Sequence, residues 1–370
     1  MSSLFSTFKL RELTVQNRIA VSPMCQYIAK DGLPNNWHLI HLGGLAASGA
    51  GLLFIESTAV LAEGRITPGD LGLYNDATEA AFGPVLAAIR EFSSIPVILQ
   101  LGHAGRKASS ETPWGGGQLI AENEGGWATF APSAVPHKAG EAAPHALDAA
   151  GLATVLQAFV VAAERANRLG VDGLELHAAH GYLLHEFLSP VSNQRTDEYG
   201  GSLENRMRFP LEVFRAVRAV FPQEKPIGVK ITGSDWVDGG IDEGEAIAFA
   251  AELKTLGVDW VSVSSGGISP LQKITVGAGY QVPFAEAVKR ATGLTTISVG
   301  LITEAQQAED IIAGGQADFV ALARAMLYDP RWPWHAAEKL GGTVEAPAPY
   351  WRAPPTGVHG LFRNMTFGAR

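Results

Sequence analysis

The sequence predicts one α/β domain folded as a (β/α)8 TIM barrel, and three observations support this prediction. Eight short runs rich in Val, Ile and Leu alternate with eight longer helical patterns, which is the number of units that closes such a barrel. The strand runs are apolar throughout, as expected of parallel strands covered on both faces. A doubly wound sheet, the competing architecture, would need an early Gly-x-Gly-x-x-Gly turn, and none follows the first strands.

The predicted elements alternate regularly along the chain. The predicted strands are 19–23, 52–57, 96–101, 173–177, 226–231, 260–264, 296–299 and 319–323. The predicted helices are 37–47, 77–92, 151–169, 203–221, 242–256, 282–291, 304–313 and 332–340. With no internal repeat or linker, residues 1–370 read as a single domain.

Two segments break the alternation. Residues 102–150 form a long insertion after the third strand, which in a barrel lies on the C-terminal face as a lid or pocket wall. The tail, 343–370, is rich in proline and aromatic residues and has no clear period. Its aromatic side chains Trp351, Phe362 and Phe367 need a place to be buried, and a neighbouring subunit could provide one.

Composition excludes several classes of function. Of the 370 residues, 46% are hydrophobic and 18% are charged, so a large core is expected and disorder is not. The net charge of −9 argues against a nucleic-acid partner. The single cysteine, Cys25, excludes an internal disulfide and a cysteine-rich iron–sulfur or structural zinc site. Without a signal peptide or a long uninterrupted apolar run, we expect a soluble, cytoplasmic protein.

The segment 173–190 carries the densest set of polar groups. A predicted strand ends there in His177, and His180 and Tyr182 follow within five residues. Two imidazoles and a phenol after a barrel strand suit a polarised substrate oxygen better than they suit packing. Paired histidines also bind zinc, and Glu175 and His103 stay open as further ligands in that reading.

Other polar and small residues end the remaining strands, and in a barrel such residues face one shared site. They are Ser22, Pro23, Met24, Cys25, Tyr27, Ala59, Gln100, Lys230, 264–267, Gly300 and Arg324. Gly300 and Arg324 follow the seventh and eighth strands, where barrels of this type bind phosphate. A phosphate grip, a central cation and amide, and an opposite donor cluster together suit a flavin mononucleotide (FMN) with a substrate stacked on it.

At this point the sequence resembles the Old Yellow Enzyme family of FMN-dependent ene-reductases, in its thermophilic-like class. The resemblance runs through nearly the whole chain in order. The matching motifs are Asn-Arg-Ile at 17–19, Ser-Pro-Met-Cys-Gln-Tyr at 22–27, Glu-Gly-Arg at 63–65, Gln-Leu-Gly-His-Ala-Gly-Arg-Lys at 100–107, His-Ala-Ala-His-Gly-Tyr-Leu-Leu at 177–184, Arg-Thr-Asp-Glu-Tyr-Gly-Gly-Ser-Leu-Glu-Asn-Arg at 195–206, Val-Gly-Leu-Ile-Thr at 299–303 and Ala-Arg-Ala-Met-Leu at 323–327.

The resemblance implies a reaction and a role for each matching residue. NADPH or NADH would reduce FMN, and hydride would pass from flavin N5 to an alkene conjugated to a carbonyl or nitro group, as in enones, enals, maleimides and nitroalkenes. His177 and His180 would bind the activating oxygen, and Tyr182 would protonate the α-carbon. Tyr27 would line the substrate pocket, and Cys25 would tune the flavin. The residues Ser22, Pro23, Met24, Ala59, Gln100, Lys230, Gly300, Ala323 and Arg324 would hold FMN tightly and non-covalently.

Lys230 and Ala323 depart from the pattern of the family. Lys230 stands where an arginine is usual, which keeps the positive charge and loses the planar two-donor fork. We therefore expect FMN to be retained, with a somewhat altered potential. Ala323 replaces a common glycine but keeps the backbone N–H. In the tail, Arg352 matches an arginine that enters a neighbouring protomer's active site, which implies a homodimer or homotetramer.

Two other functions stay open on the residues alone. A metal-dependent or phosphosugar barrel enzyme could use the histidine pair without flavin. A non-catalytic barrel would tolerate exchange of the strand-end residues without an effect beyond stability. Dienoyl-CoA reductases are related flavoenzymes, but their iron–sulfur cluster needs cysteines that this chain lacks.

Overall fold

The computed structural model describes residues 2–363 and Met365, and its central feature is a closed barrel of eight parallel strands. The strands are β1 Phe8–Leu10, β2 Leu13–Val15, β3 Ile19–Val21, β4 Leu52–Ala59, β5 Val97–Gly102, β6 Phe130–Ala131, β7 His145–Ala146, β8 Gly173–Ala178, β9 Ile227–Thr232, β10 Trp260–Ser264, β11 Thr296–Ser298 and β12 Phe319–Leu322. The barrel runs β3-β4-β5-β8-β9-β10-β11-β12 and closes on β3, which confirms the predicted TIM barrel.

Helices surround the barrel, and all eight predicted helices are present within two residues of their expected ends. The helices are α1 Asn36–Ala46, α2 Asp76–Phe92, α3 Ala149–Arg168, α4 Leu183–Leu188, α5 Leu203–Val220, α6 Glu243–Thr255, α7 Val282–Thr292, α8 Ala305–Ala313, α9 Arg324–Tyr328 and α10 Trp332–Leu340. Side chains start several of them: Asn35 and Asn75 form capping boxes, and Asp148, Ser202 and Asp242 accept from the first turn of their helices. The short helices α4 and α9 were not predicted.

An unpredicted hairpin closes the N-terminal end of the barrel. Strands β1 and β2 pair antiparallel, and the Phe8 ring lies edge-on to Phe319 with centroids 5.2 Å apart. Their apolar side chains join an inner cluster with Phe54, Ile98 and Trp260. Because this end is filled with packed side chains, only the opposite end is left for a binding site.

One described helix, α3, is long and apolar enough to cross a membrane by length and composition alone, although the sequence analysis expected no such segment. In the structure, Val155 and Phe159 are buried while Gln157 and Glu164 are exposed. The apolar residues of α3 therefore serve the contact with the barrel, where the helix packs against α5 and β5.

The C-terminal tail corrects one expectation. Phe362 is buried within its own chain, where its ring meets that of Trp334 at 4.9 Å and its backbone pairs with Val344. Trp351 is half-buried and packs against the main core. These two side chains therefore need no neighbouring subunit for burial, whereas Phe367 lies outside the described residues.

Candidate active site

The C-terminal ends of the barrel strands surround a cavity of about 260 Å³. Its lining brings together eight of the residues predicted to face the site: Ser22, Pro23, His180, Lys230, Ser264, Gly300, Ala323 and Arg324. Strand β3 ends at Val21, earlier than predicted, so Ser22 and Pro23 leave the ladder and reach the cavity. A closed parallel barrel thus gathers residues that lie up to 302 positions apart in the sequence.

His177 and His180 meet at the mouth of β8. The Nε2 of His177 lies 3.3 Å from the Nδ1 of His180, and the two rings are 5.0 Å apart. This arrangement requires a tight loop in which His180 has φ +60° and Gly181 has φ +73°. A Cβ on Gly181 would lie 2.2 Å from the carbonyl oxygen of Gly267, so only glycine fits there.

Hydrogen bonds connect the two rings to the protein on both sides. Ala179 N donates to His177 Nδ1 at 3.3 Å, which leaves His177 Nε2 as the N–H that faces His180. His180 Nε2 lies 2.7 Å from the Ser264 hydroxyl, which donates in turn to Gln281 Oε1 at 3.1 Å. If Ser264 donates its proton to His180 Nε2, then His180 carries its own proton on Nδ1. A substrate oxygen within reach of both His177 Nε2 and His180 Nδ1 would then receive two N–H hydrogen bonds.

Both histidines are neutral at physiological pH. Burial, and then the charge of Lys230, lowers the pKa of His177 and of His180 well below the ordinary value. A neutral imidazole donates through one nitrogen and accepts through the other. The pair can therefore bind a polarised oxygen by hydrogen bonds without transferring a full positive charge to it.

Tyr182 lies directly beside the pair. Its ring centroid is 4.8 Å from that of His177, and Lys107 Nζ lies 5.2 Å from the ring. Burial, and then Tyr27, raises the pKa of Tyr182 well above the ordinary value. Tyr182 is therefore a neutral phenol that keeps a proton to give, as a general acid requires.

Cys25, Tyr27 and Tyr182 pack in one small apolar cluster with Ile66, Ala104 and Ala108. Burial, and then Asp70, raises the pKa of the Cys25 thiol well above its ordinary value, so Cys25 is a thiol rather than a thiolate. The ring of Tyr27 meets Trp114 of the insertion at 5.7 Å. Trp114, a side chain of the insertion that is 72% exposed, thus contacts Tyr27, one of the residues predicted to line the substrate pocket.

The positive charge and the phosphate corner of the site have the properties that FMN requires. Lys230 is buried in the cavity wall. Gly300 has φ +115°, and a Cβ there would lie 2.8 Å from Gln281 Nε2. Arg324 is exposed, makes no ion pair with any described carboxylate, and also lines a neighbouring cavity of about 520 Å³. A cation at the barrel centre and a guanidinium beside a tight glycine turn fit an anionic flavin nucleotide.

Other predicted site residues lie outside this cavity. Ala59 and Gln100 are buried at and near the ends of β4 and β5, and Met24 packs against the main core. Arg352 is exposed on the tail and is absent from the cavity lining. The structure of one chain therefore does not bring Arg352 to the site, and its role stays a prediction about an assembly.

The sequence analysis missed the residues that hold the catalytic loop. Lys107 Nζ donates to the carbonyls of His180 at 2.8 Å and Gly267 at 2.9 Å. His185 Nδ1 accepts from Gly181 N at 2.8 Å, and its Nε2 lies 2.9 Å from the buried Asp235 carboxylate. Lys107 was part of a matching motif, which is a usable signal, whereas nothing local marks Asp235.

The carboxylate considered for a zinc site has other partners. Glu175 accepts from Gln100 Nε2 at 2.7 Å, from Trp260 Nε1 at 3.1 Å and from the Ser262 hydroxyl. Within residues 2–363 and 365, no group of three or more His, Cys, Asp or Glu side chains could hold a metal ion. The geometry therefore favours a role of the histidine pair in a flavin enzyme over a role as zinc ligands.

Comparison with known proteins agrees with this geometry. A family model described as the NADH:flavin oxidoreductase / NADH oxidase family matches residues 3–342. An NADPH dehydrogenase from Geobacillus sp. is 42% identical over 351 residues, which cover 94% of this chain and 98% of that protein. An NADPH dehydrogenase from Listeria innocua is 40% identical over 355 residues, with 95% and 99% covered.

Solved structures of similar fold include a reductase and an old yellow enzyme homologue. Morphinone reductase superposes with a TM-score of 0.77 at 28% identity and covers 93% of this chain and 91% of its own. The old yellow enzyme homologue from Zymomonas mobilis has a TM-score of 0.75 at 24% identity, with 93% and 94% covered, a likeness that supports the fold alone.

Proposed function

We propose that this chain, which belongs to the NADH:flavin oxidoreductase / NADH oxidase family and is an Old Yellow Enzyme, is an FMN-dependent ene-reductase. At the coarser level it is an NAD(P)H-dependent flavin oxidoreductase, as its family and its relatives named NADPH dehydrogenase establish. The proposal adds the substrates: alkenes conjugated to a carbonyl or nitro group, such as enones, enals, maleimides and nitroalkenes. It also places the enzyme in the cytoplasm and assembles it as a homodimer or homotetramer.

One observation carries the proposal: His177 Nε2 and His180 Nδ1 face each other at 3.3 Å, and the ring of Tyr182, a protonated phenol, lies 4.8 Å, centroid to centroid, from that of His177. Bound FMN, once reduced by NADPH or NADH, supplies the hydride for the β-carbon of the alkene. His177 and His180 bind the activating oxygen and donate more strongly as negative charge develops on it. Tyr182 gives the proton that completes the α-carbon, so the alkene gains one hydride and one proton.

The remaining predicted residues hold the cofactor and the substrate. Lys230 supplies a buried positive charge toward the electron-rich ring system, and Arg324 with Gly300 holds the phosphate. Cys25, which would tune the flavin, and Tyr27, which would line the substrate pocket, pack against Tyr182. A complex of morphinone reductase with tetrahydroNAD supports the same nucleotide class as reductant for this chain.

The visible absorption spectrum of the purified protein tests the proposal. We expect flavin bands that bleach when NADPH is added without oxygen and recover when cyclohexenone or maleimide follows. If the bands bleach with NADPH but recover only with oxygen, the protein is a flavin oxidoreductase and the proposed ene-reductase activity is wrong. A colourless protein that also fails to bind added FMN would overturn the cofactor assignment.

A further inference from the structure

A fully buried carboxylate lies in the barrel interior below the candidate site. Glu175 has no solvent exposure, and β8 places it two residues before His177 on the same inward face. In the strand register it pairs with Gln100 on β5 and with Gly228 on β9, while His177 pairs with Lys230. Glu175 therefore lies one layer of side chains below the layer of His177 and Lys230.

The barrel is built to hold this carboxylate. A Cβ on Gly228 would lie 1.9 Å from the indole of Trp260, so glycine at 228 is what admits the tryptophan. Trp260 then donates to Glu175 Oε2 through Nε1 at 3.1 Å, and the Ser262 hydroxyl donates to the same oxygen. Two donors from β10 converge on one buried oxygen, an arrangement that packing by itself does not require.

The other carboxylate oxygen orients Gln100. A carboxylate only accepts hydrogen bonds, so the group of Gln100 that lies 2.7 Å from Glu175 Oε1 must be the amide NH2. The carbonyl oxygen of Gln100 is thereby directed away from Glu175. Without the carboxylate, either end of the amide could face the interior, and the acceptor that Gln100 presents to a ligand would not be defined.

Glu175 also balances the charge of Lys230. Burial lowers the pKa of Lys230, and Glu175 is the first of the charges that raise it again. The other charged or titratable neighbours are Cys25, a thiol, and the neutral His177 and His180. Those three carry no charge. Ser262, which donates to Glu175, pairs with Lys230 in the strand register, so the Glu175 carboxylate is placed to compensate the charge of Lys230.

We propose that Glu175 is a positioning residue of the flavin site, which fixes the amide of Gln100 and acts as the counter-ion of Lys230 from the layer of side chains below it. The inference rests on the proposed function, because Gln100 and Lys230 act on FMN only if FMN binds. Glu175 itself touches neither cofactor nor substrate in this assignment.

A double-mutant comparison of FMN affinity tests the inference. Lys230→Met leaves an uncompensated carboxylate in the barrel, so we expect FMN to bind about 100-fold more weakly to its apoprotein. Glu175→Gln removes that charge, so the double variant Glu175→Gln/Lys230→Met should bind FMN about 10-fold more tightly than Lys230→Met. Quenching of flavin fluorescence on titration with apoprotein measures each dissociation constant.

The control uses another carboxylate on the same barrel, Asp259, which is only partly buried. Asp259 lies at the closed end, where it accepts from Arg11 at 2.6 Å and from Ile227 N at 2.8 Å. Asp259→Asn combined with Lys230→Met should bind FMN no better than Lys230→Met. If the glutamine variant does not fold, the apolar pair Glu175→Met/Lys230→Met replaces it.

Three outcomes separate the proposals. Rescue by Glu175→Gln and not by Asp259→Asn supports the counter-ion role. Equal or additive losses in the double variant would overturn it, because a purely structural carboxylate offers no rescue. A wild-type apoprotein that binds no FMN would instead contradict the proposed function and not this inference alone.

Discussion

At the scale of single residues, Ser264 decides what the histidine pair can do. Its hydroxyl lies 2.7 Å from His180 Nε2 and donates to Gln281 Oε1, which also receives a bond from Ser265 at 2.8 Å. Because Ser265 can satisfy Gln281 by itself, Ser264 is able to turn its proton toward His180. That turn selects the tautomer of His180 whose Nδ1–H faces His177.

Removing the Ser264 hydroxyl should therefore weaken substrate activation. We expect Ser264→Ala to lower kcat/KM for cyclohexenone about 10-fold, the cost of one misdirected hydrogen bond in the transition state. Ser264→Thr, which keeps a hydroxyl, should recover most of the loss. Ser265→Ala should also lower kcat/KM, because Gln281 then keeps the proton of Ser264. Ser94→Ala, at an exposed serine before β5, is the control, and an equal loss in Ser94→Ala would contradict the tautomer role.

Tyr182 allows a test that separates the two half-reactions. Tyr182→Phe removes the proton donor but keeps the ring, so reoxidation of the reduced protein by an enone should slow by a factor of about 100 or more. Reduction by NADPH should change little, because no proton leaves Tyr182 in that step. Stopped-flow absorbance resolves both rates. If the rate of reoxidation by the enone is unchanged in Tyr182→Phe, Tyr182 is not the general acid.

At the scale of elements, the loop between β8 and α4 is held from three sides. Lys107 binds the His180 carbonyl, His185 accepts from Gly181 N, and Glu186 N donates to the Tyr182 carbonyl at 2.8 Å. The loop also passes so close to Gly267 that a Cβ on Gly181 would overlap its carbonyl. The backbone that carries His180 and Tyr182 is therefore held by Lys107 of the insertion and by residues of α4 itself.

A comparison of Gly181, in this loop, with Gly201, before α5, separates the effect of crowding on stability from the effect of backbone strain. Gly181 and Gly201 both have positive φ, +73° and +80°, but only Gly181 has a neighbour within 4 Å of an added Cβ. Gly201→Ala should cost about 1 kcal/mol of unfolding free energy. Gly181→Ala should cost more and should also lower kcat/KM by at least about 10-fold. Equal effects of the two variants in denaturant titration and activity would contradict the crowding argument.

The carboxyl of Glu186 at the start of α4 gives the protein a pH-dependent stability. Burial raises the pKa of Glu186 to about 8, against an opposing effect of Arg106 and Lys107. Between the ordinary value of 4.5 and about 8, the folded protein holds a proton that the unfolded chain has released. Stability therefore falls as pH rises through this window, by at most about 1.4 kcal/mol per pH unit.

Glu186→Gln should flatten this dependence. The amide can still accept from Arg106 N, which lies 2.8 Å from Glu186 Oε1, but it has no proton to release. Urea unfolding from pH 5 to pH 8 should show the wild type losing stability relative to the variant as pH rises. Glu252 is exposed, and Glu252→Gln is the control, whose free energy of unfolding should depend on pH as that of the wild type does. The pKa of Lys107 is lowered to about 8, so Lys107 contributes to the pH dependence of stability only above that pH.

At the scale of the whole molecule, the tail both completes the core and exposes Arg352. Because Leu361 and Phe362 are buried and Val344 pairs with Phe362, removing everything after Pro349 would damage the core as well as any contact between subunits. A point variant is therefore the cleaner probe of a shared site.

Arg352→Ala should lower kcat/KM about 10-fold in a dimeric protein and leave thermal stability unchanged, since the side chain is exposed. Arg290→Ala, exposed at the end of α7, is the matched control. Sedimentation must accompany the kinetics. Full activity of the variant in a confirmed dimer would show that Arg352 does not enter the partner's site.

The elements and the identity of the main site residues could be predicted because they leave local signals. Continuous apolar runs predict parallel strands, and the residues that follow them place His180, Lys230 and Arg324 in one site once eight strands are counted. The hairpin β1–β2 was not predicted, because strands of three residues are too short to show a detectable hydrophobic period. The short helices α4 and α9 escaped for the same reason.

The sequence by itself determined the barrel, the order of its strands and the chemical types gathered at its open end. Only the tertiary structure decided how those groups are held: Gln281 behind Ser264, Asp235 behind His185, and Glu175 beneath Lys230. Periodicity and motifs follow from covalent neighbours and strand ends. Pairings between residues 17 to 55 positions apart depend on register and packing across the barrel, and no local pattern encodes them.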